Sequence, residues 1–290
     1  MSTLSLTRIY RSDAGEIAVR SWCERALGGA RDLRSPGAVT AAGRATRVHV
    51  LPGGPGTPVL LLSGALLGSA NLVATARVLR ADRTVLLADL PGHPGTSDSR
   101  RPLLGRADAY GAWLDALLPQ VTTEPVILLG HSTGAAAALA AMPSPLVAGL
   151  VLVGPAGLAA PVMDGERLRA TFSWRLSPGE RTSSRLLGLL SGPVAAGGAT
   201  HPLTEWATLV GRHCRPSPVP GILRGEDFRD WSGTPVTVAT GAHDRVFTPS
   251  LLRGAVRRLL GTDVRTIASA GHLALHEAPA RVRDLLREVA

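Results

Sequence analysis

Residues 125–142 limit what this chain can fold into more than any other stretch. Pro125 leads the apolar run Val126-Ile127-Leu128-Leu129. That run enters Gly130-His131-Ser132-Thr133-Gly134 and continues without a break into an alanine-rich tract ending at Met142. Branched and apolar residues followed at once by strong helix formers read as a buried strand, a sharp turn and a helix. The Gly-x-Ser-x-Gly spacing puts Ser132 at the apex of that turn. Glycine is needed on both sides because strand and helix come so close that a Cβ at either position would collide with backbone. A serine held this way exposes its hydroxyl to a partner base.

The rest of the chain supplies the setting. At 290 residues, 45% hydrophobic and 18% charged, it can bury a sizeable core, so wholesale disorder is excluded. The formal charge of +9 invites a nucleic-acid reading. Every basic residue is an arginine, however, scattered singly or in pairs such as Arg100-Arg101 and Arg257-Arg258 with acids between them. No aromatic-and-basic strand accompanies them, so nucleic acid is not an expected partner. The first residues lack a charged segment followed by an apolar core, and no apolar run reaches membrane-spanning length. A cytoplasmic protein without a membrane partner is expected, as a monomer or homodimer. Cys23 and Cys214 are expected to be free thiols, too few for a disulfide framework or a zinc site, and no metal is expected.

Taken in order, residues 1–36 form a leader in which Ser12 or Asp13 caps a helix carrying Ile17, Ala18, Trp22, Ala26 and Leu27 on its packed side. The leader is expected to pack on the outside. A hairpin turning at Gly43 follows, with His49 facing outward. From there to residue 156, apolar strands alternate with helices, as in a parallel sheet covered on both faces. Regularity stops at 157. Residues 157–231 are rich in proline and glycine, with helical patterns over 163–174 and 181–190 and no buried strand. They read as a helical cap inserted over the sheet edge. Alternation resumes over 232–290, so residues 37–156 and 232–290 form the two parts of one α/β core.

A serine hydroxyl needs a base to take its proton, and the base needs an acid to fix its tautomer. The strand ending at Thr240 opens into Gly241-Ala242-His243-Asp244, and the next strand opens into Ala270-Gly271-His272. Both side chains then belong at the carboxyl edge of the sheet, with Ser132. Taken together, the turn, the alternation and the order Ser132, Asp244, His272 resemble an α/β-hydrolase-fold serine hydrolase of the capped bacterial esterase and lactonase type. The likeness covers nearly all of residues 38–290. It implies a mostly parallel eight-stranded sheet flanked by helices. It also implies a triad of Ser132 as nucleophile, His272 as general acid and base, and Asp244 as the orienting acid. Residues 89–98 are similar to a structural glycine-rich loop of the family.

Some members take the acid from the loop after an earlier strand, but Gly154-Pro155-Ala156-Gly157 offers no carboxylate there. His131, His243 and His276 rank behind His272. The oxyanion donors implied are the backbone N–H groups of Thr133 and Ala65. Where the family usually has His-Gly before the second donor, this chain has Ser63-Gly64.

The expected activity is cleavage of a carboxylic ester, lactone or thioester through an acyl-enzyme, without a cofactor. A serine in place of aspartate argues against alkyl-enzyme chemistry. A tailoring enzyme (a cyclase or acyltransferase) or a small-molecule binding protein of a biosynthetic pathway is the rival reading. Five of the ten aromatic residues, Phe172, Trp174, Trp206, Phe228 and Trp231, fall in the insertion. A substrate with a bulky apolar portion is therefore expected, held by Phe172, Trp174 and Trp206 above and by Leu66, Phe247 and Leu273 below.

Overall fold

The structure, a computed structural model, describes residues 6–102, 106–193, 201–217, 219–223 and 229–289. Its elements are β1 (Leu6–Arg8), α1 (Asp13–Gly28), β2 (Val39–Ala41), β3 (Arg44–Thr46), β4 (Val48–Leu62), α2 (Val73–Leu79), β5 (Arg83–Ala88) and β6 (Arg100–Pro102). They continue with α3 (Arg106–Val121), β7 (Val126–His131), α4 (Thr133–Ala140), β8 (Val147–Val153), α5 (Gly165–Leu176), α6 (Glu180–Leu190) and α7 (Thr204–His213). Last come β9 (Val236–Gly241), α8 (Pro249–Leu260), β10 (Val264–Ile267), α9 (Ala274–Glu277) and α10 (Pro279–Arg287).

Among the described residues the main sheet holds six strands in the order β10-β9-β8-β7-β4-β5, where eight were expected. Part of the difference is that β4 makes two passes along β5. Val48 to Leu51 sit opposite Ala88 to Val85 in descending register, and Val59 to Leu62 sit opposite Val85 to Ala88 in ascending register. One strand thus occupies two positions, with Pro52 to Pro58 as its bend. The hairpin of β2 and β3 stands apart from the main sheet, turning through Ala42 (φ 46) and Gly43 (φ 71).

The strands read as unbroken apolar runs because both sheet faces are covered. Alternate residues go to opposite sides. Leu60, Leu62, Leu128, Leu150 and Leu152 pack with Tyr110, Trp113, Leu114 and Leu117 of α3, the alanines of α4, and Leu252 and Val256 of α8. Val59, Leu61, Ile127, Leu129, Val151 and Val153 pack with Ala76 and Leu79 of α2 and with Val282, Leu285 and Leu286 of α10. Each fully buried Leu or Ile contributes about 1.5–3 kcal/mol of burial energy.

A third cluster joins the leader to the insertion. Ser12 caps α1 by accepting the Gly15 amide, 3.1 Å away. The buried face of α1 is Gly15, Val19, Cys23 and Leu27, whereas Ile17 is 65% exposed. The expected face is therefore rotated by about a quarter of a turn, with Leu27 common to both. The helix packs on α7, with the Trp22 and Trp206 rings 4.7 Å apart, so it braces the cluster formed with α5, α6 and α7. His49, expected at the surface, is buried between Ser35 Oγ (2.7 Å) and Thr96 Oγ1 (3.4 Å). Period-two alternation could not foresee this, because loop 89–98 covers what would be the outward side of that strand. Cys23 and Cys214 are buried free thiols.

Strand and helix approach closely where β7 meets α4. A Cβ on Gly134 would lie 2.2 Å from the Leu62 carbonyl oxygen, and one on Gly130 would lie 2.5 Å from Ala135 Cα. Both obstacles are backbone, one in a central strand of the sheet and one in α4, and cannot turn away. Gly134→Ala is expected to destabilise the protein by at least about 2 kcal/mol, read as a lower urea midpoint at unchanged m value. An unshifted midpoint would show that strand and helix can separate.

Candidate active site

The three side chains singled out above come from three different strands. Ser132 follows β7, Asp244 follows β9 and His272 follows β10, all at the carboxyl edge of the parallel sheet. Ser132 has φ 50 and ψ −113, a conformation strained for any residue with a Cβ. The Ser132 amide donates to the Val153 carbonyl (3.1 Å), and the Ser132 carbonyl accepts from Ala135 (3.0 Å) and Ala156 (3.2 Å). These bonds fix the turn from both sides.

Ser132 Oγ lies 3.2 Å from His272 Nε2, and His272 Nδ1 lies 2.9 Å from Asp244 Oδ2. A carboxylate can only accept, so Nδ1 carries the proton and Nε2 is left to accept from the serine hydroxyl. Asp244 is almost fully buried, which on its own would raise its pKa. The adjacent His272, its hydrogen bond, and the amides of Phe247 (2.9 Å) and Val246 (2.7 Å) outweigh burial and hold the carboxyl below its usual range. Thr240 Oγ1, 2.9 Å from Oδ2, adds a further donor. The motif gave no hint of Thr240, although a hydroxyl on the strand leading to the acid was a readable signal.

The acids Asp98 and Asp164 and the remaining histidines have other places. Asp98 pairs with Arg100, and Asp164 caps α5 while pairing with Arg245. His243 is exposed. His276 is not in the wall of the cavity described below, and its Nε2 is enclosed without a partner among the described residues. His131 has a definite structural place. Its Nε2 donates to the backbone carbonyl of His272 over 2.8 Å, tying the loop of the base to the turn of the serine. Burial, reinforced by the neighbouring His272, lowers the His131 pKa to about 3, so its ring is neutral.

Thr133 is the first residue of α4, where backbone N–H groups have no acceptor within the helix. Ala65 lies in the loop after β4, beside Ser132 in the cavity wall. That loop is tethered throughout. Ser63 Oγ donates to the Leu67 carbonyl (2.8 Å), His93 Nδ1 lies 3.2 Å from the Ala65 carbonyl, and Asp89 accepts from the Ser69 and Thr96 amides. The Ser63 hydroxyl thus does local work where the family usually has histidine.

A cavity of about 390 Å³ opens over Ser132 and His272 between the sheet edge and helices α5 and α6. Leu66, Trp174 and Leu273 line it, joined by residues the sequence did not single out, among them Met163, Leu186, Leu190, Pro216, Val219 and Val246. Three aromatic positions need correction. Phe172 is 63% exposed, because α5 turns its 167, 171, 174 and 175 side inward and 172 falls on the opposite face. Trp206 is buried against Trp22, with its Nε1 donating to the Leu66 carbonyl (2.7 Å), and lies outside the lining. Phe247 is buried with its ring centroid 5.8 Å from that of His272 and does not reach the cavity. Trp231 packs in the α/β core and donates to the Leu139 carbonyl (3.2 Å), while Phe228 lies outside the described residues.

The sequence model of the alpha/beta hydrolase family matches residues 48–285. The chain belongs to that family. Solved structures share the fold. The carboxylesterase CesB (YbfK) of Bacillus subtilis superposes with a TM-score of 0.70 at 16% identity, over 95% of this chain and 98% of that one. A meta-cleavage product hydrolase (CumD) of Pseudomonas fluorescens IP01 gives 0.67 at 20% identity, over 88% and 97%. The esterase RhEst1 of Rhodococcus sp. ECU1013 gives 0.63 at 24%, also over 88% and 97%. Among curated proteins, the dihydrolipoyllysine-residue acetyltransferase component of an acetoin cleaving system from Pseudomonas putida is 34% identical over 137 residues. The match takes in 46% of this chain, which spans 36% of that relative's length. No described helix is long and apolar enough to cross a membrane.

The buried histidine sets a pH dependence of stability. In the unfolded chain His131 takes up a proton near pH 6.5, whereas in the folded protein it stays neutral down to about 3. The unfolded state therefore binds more protons between these values, and stability falls as pH drops through that window, by up to about 1.4 kcal/mol per pH unit. Urea midpoints are expected to fall from pH 7 to pH 4.5, and His131→Gln, which keeps a donor for the His272 carbonyl, should flatten the slope. Equal slopes in both proteins would show that His131 titrates normally.

Proposed function

We propose that the protein is a serine esterase that cleaves a carboxylic ester, lactone or thioester with an apolar portion through an acyl-enzyme. The observation that carries this reading is Ser132 Oγ at 3.2 Å from a histidine nitrogen whose other nitrogen is held by a buried carboxylate. Membership in the alpha/beta hydrolase family and the fold likeness to esterases support it. The apolar wall over the serine supports the substrate class and would exclude water from the acyl-enzyme.

In this mechanism Ser132 Oγ attacks the carbonyl carbon while its proton passes to His272 Nε2. The carbonyl oxygen takes the negative charge of the tetrahedral intermediate, facing the amides of Ala65 and Thr133. The intermediate collapses with cleavage of the bond to the leaving group, which takes the proton from His272. Water then attacks the acyl-enzyme, giving its proton to His272, and Ser132 recovers that proton as the acid departs. Asp244 stays ionised and stabilises the imidazolium.

Ser132→Ala and His272→Ala are each expected to lower kcat on short-chain and medium-chain 4-nitrophenyl esters by about 10⁴–10⁶ without changing the fold. Asp244→Asn, which offers His272 the wrong tautomer, should cost about 10²–10⁴. Steady-state kinetics with circular dichroism as a folding check measures this. Ester hydrolysis retained in Ser132→Ala would defeat the reading.

A further inference from the structure

We propose that the substrate carries a carboxylate in addition to its scissile ester, and that Arg175 is the residue that pairs with it. The proposal deepens the esterase reading and rests on it. Helix α5 turns one stripe toward the cavity, placing Arg167, Thr171, Trp174 and Arg175 in the wall. Two arginines therefore contribute to the wall of a space otherwise enclosed mainly by leucine, proline, valine and tryptophan side chains.

Their situations differ. Arg167 is satisfied within the protein. Its Nη1 donates to the Arg245 carbonyl at 2.6 Å, its Nη2 lies 3.7 Å from Met163 Sδ, and the carboxylates of Asp164 and Asp244 act on it. Arg175 has no comparable set. Its Nη2 is enclosed and bonds nothing among the described residues, and no ion pair there includes it. The titratable groups that act on it are Arg11, a like charge, and the buried Cys214 thiol. The Trp174 ring covers one flat face, with its centroid 5.3 Å from the guanidinium carbon. Stacking of that kind stabilises the cation from one face, and the guanidinium forms no hydrogen bond among the described residues.

A second cation nearby and no carboxylate among the described residues acting on it make an electrostatic arrangement that is completed when the counter-ion arrives with the ligand. The planar fork of arginine matches a carboxylate better than any other monoanionic group of this size. With the apolar walls between, the ligand is an amphiphile: an ester at Ser132, a hydrocarbon or ring segment, and a terminal carboxylate.

The test uses two matched pairs of esters and the full-length protein. The first pair is 4-nitrophenyl hexanoate and 4-nitrophenyl hydrogen adipate, with the charge on the acyl side. The second is the hexanoyl ester of phenol and that of 4-hydroxybenzoate, with the charge on the leaving side. In the wild type one of the charged esters should exceed its neutral partner in kcat/KM by about 10-fold or more, and added salt should erode that ratio. Arg175→Met should bring the ratio to within about 3-fold of unity, and Arg175→Lys should restore part of it. A ratio near unity for both pairs in the wild type, or a preference that survives in Arg175→Met, overturns the proposal. If the wild type hydrolyses none of the four esters, the esterase reading fails separately, and the anion site is read by calorimetric titration of adipate. Adipate binding that is lost in Arg175→Met supports the site, and no binding to the wild type overturns it. Should Arg175→Met fail to fold, Arg175→Gln replaces it in both assays.

Discussion

The site depends on how closely β7 and α4 approach each other at Ser132. Gly130 and Gly134 remove the two Cβ atoms that would hold strand and helix apart, and the turn between them forces Ser132 to a positive φ. Strain of this kind costs on the order of 1–3 kcal/mol and persists only where the surroundings over-determine it. Here the surroundings are the central strands of the sheet, packed on both faces, and the hydrogen bonds that fasten Ser132 to Val153, Ala135 and Ala156. The core thus does more than stabilise the fold. It holds a hydroxyl where an ordinary turn would not place it.

Electrostatics then divides the work among the buried groups. Asp244 is buried yet kept ionised by the amides and the imidazole around it, so a negative charge is available at one nitrogen of His272. His131 is buried and kept neutral, so it can brace the His272 backbone without adding a second positive charge beside the base. Two histidines with rings 5.0 Å apart therefore serve different ends because one faces a carboxylate and the other faces a carbonyl.

The α/β core and the three residues of the site were legible because each leaves a local mark: glycine spacing around Ser132, and an apolar strand running out into Asp244 or His272. The double pass of β4 along β5 was not, since nothing in the run from Val48 to Leu62 says that one strand will serve twice. The inward face of α5 was equally hidden. Choosing by residue type favoured Phe172, but the register of α5 is set by packing, which turns Trp174 inward and Phe172 to solvent. Arg175 could not have been singled out among so many arginines. Its distinction is an environment without a described carboxylate, and environments of that kind are properties of the fold.

The central claim is that Ser132 is an activated nucleophile. It is tested most directly by mass spectrometry of the protein after exposure to a fluorophosphonate, which phosphonylates only a serine whose proton is being withdrawn. The account predicts one adduct per chain on the peptide containing Ser132, absent in Ser132→Ala and formed far more slowly in His272→Ala. An unmodified Ser132, or an adduct on another residue with Ser132 free, would contradict it.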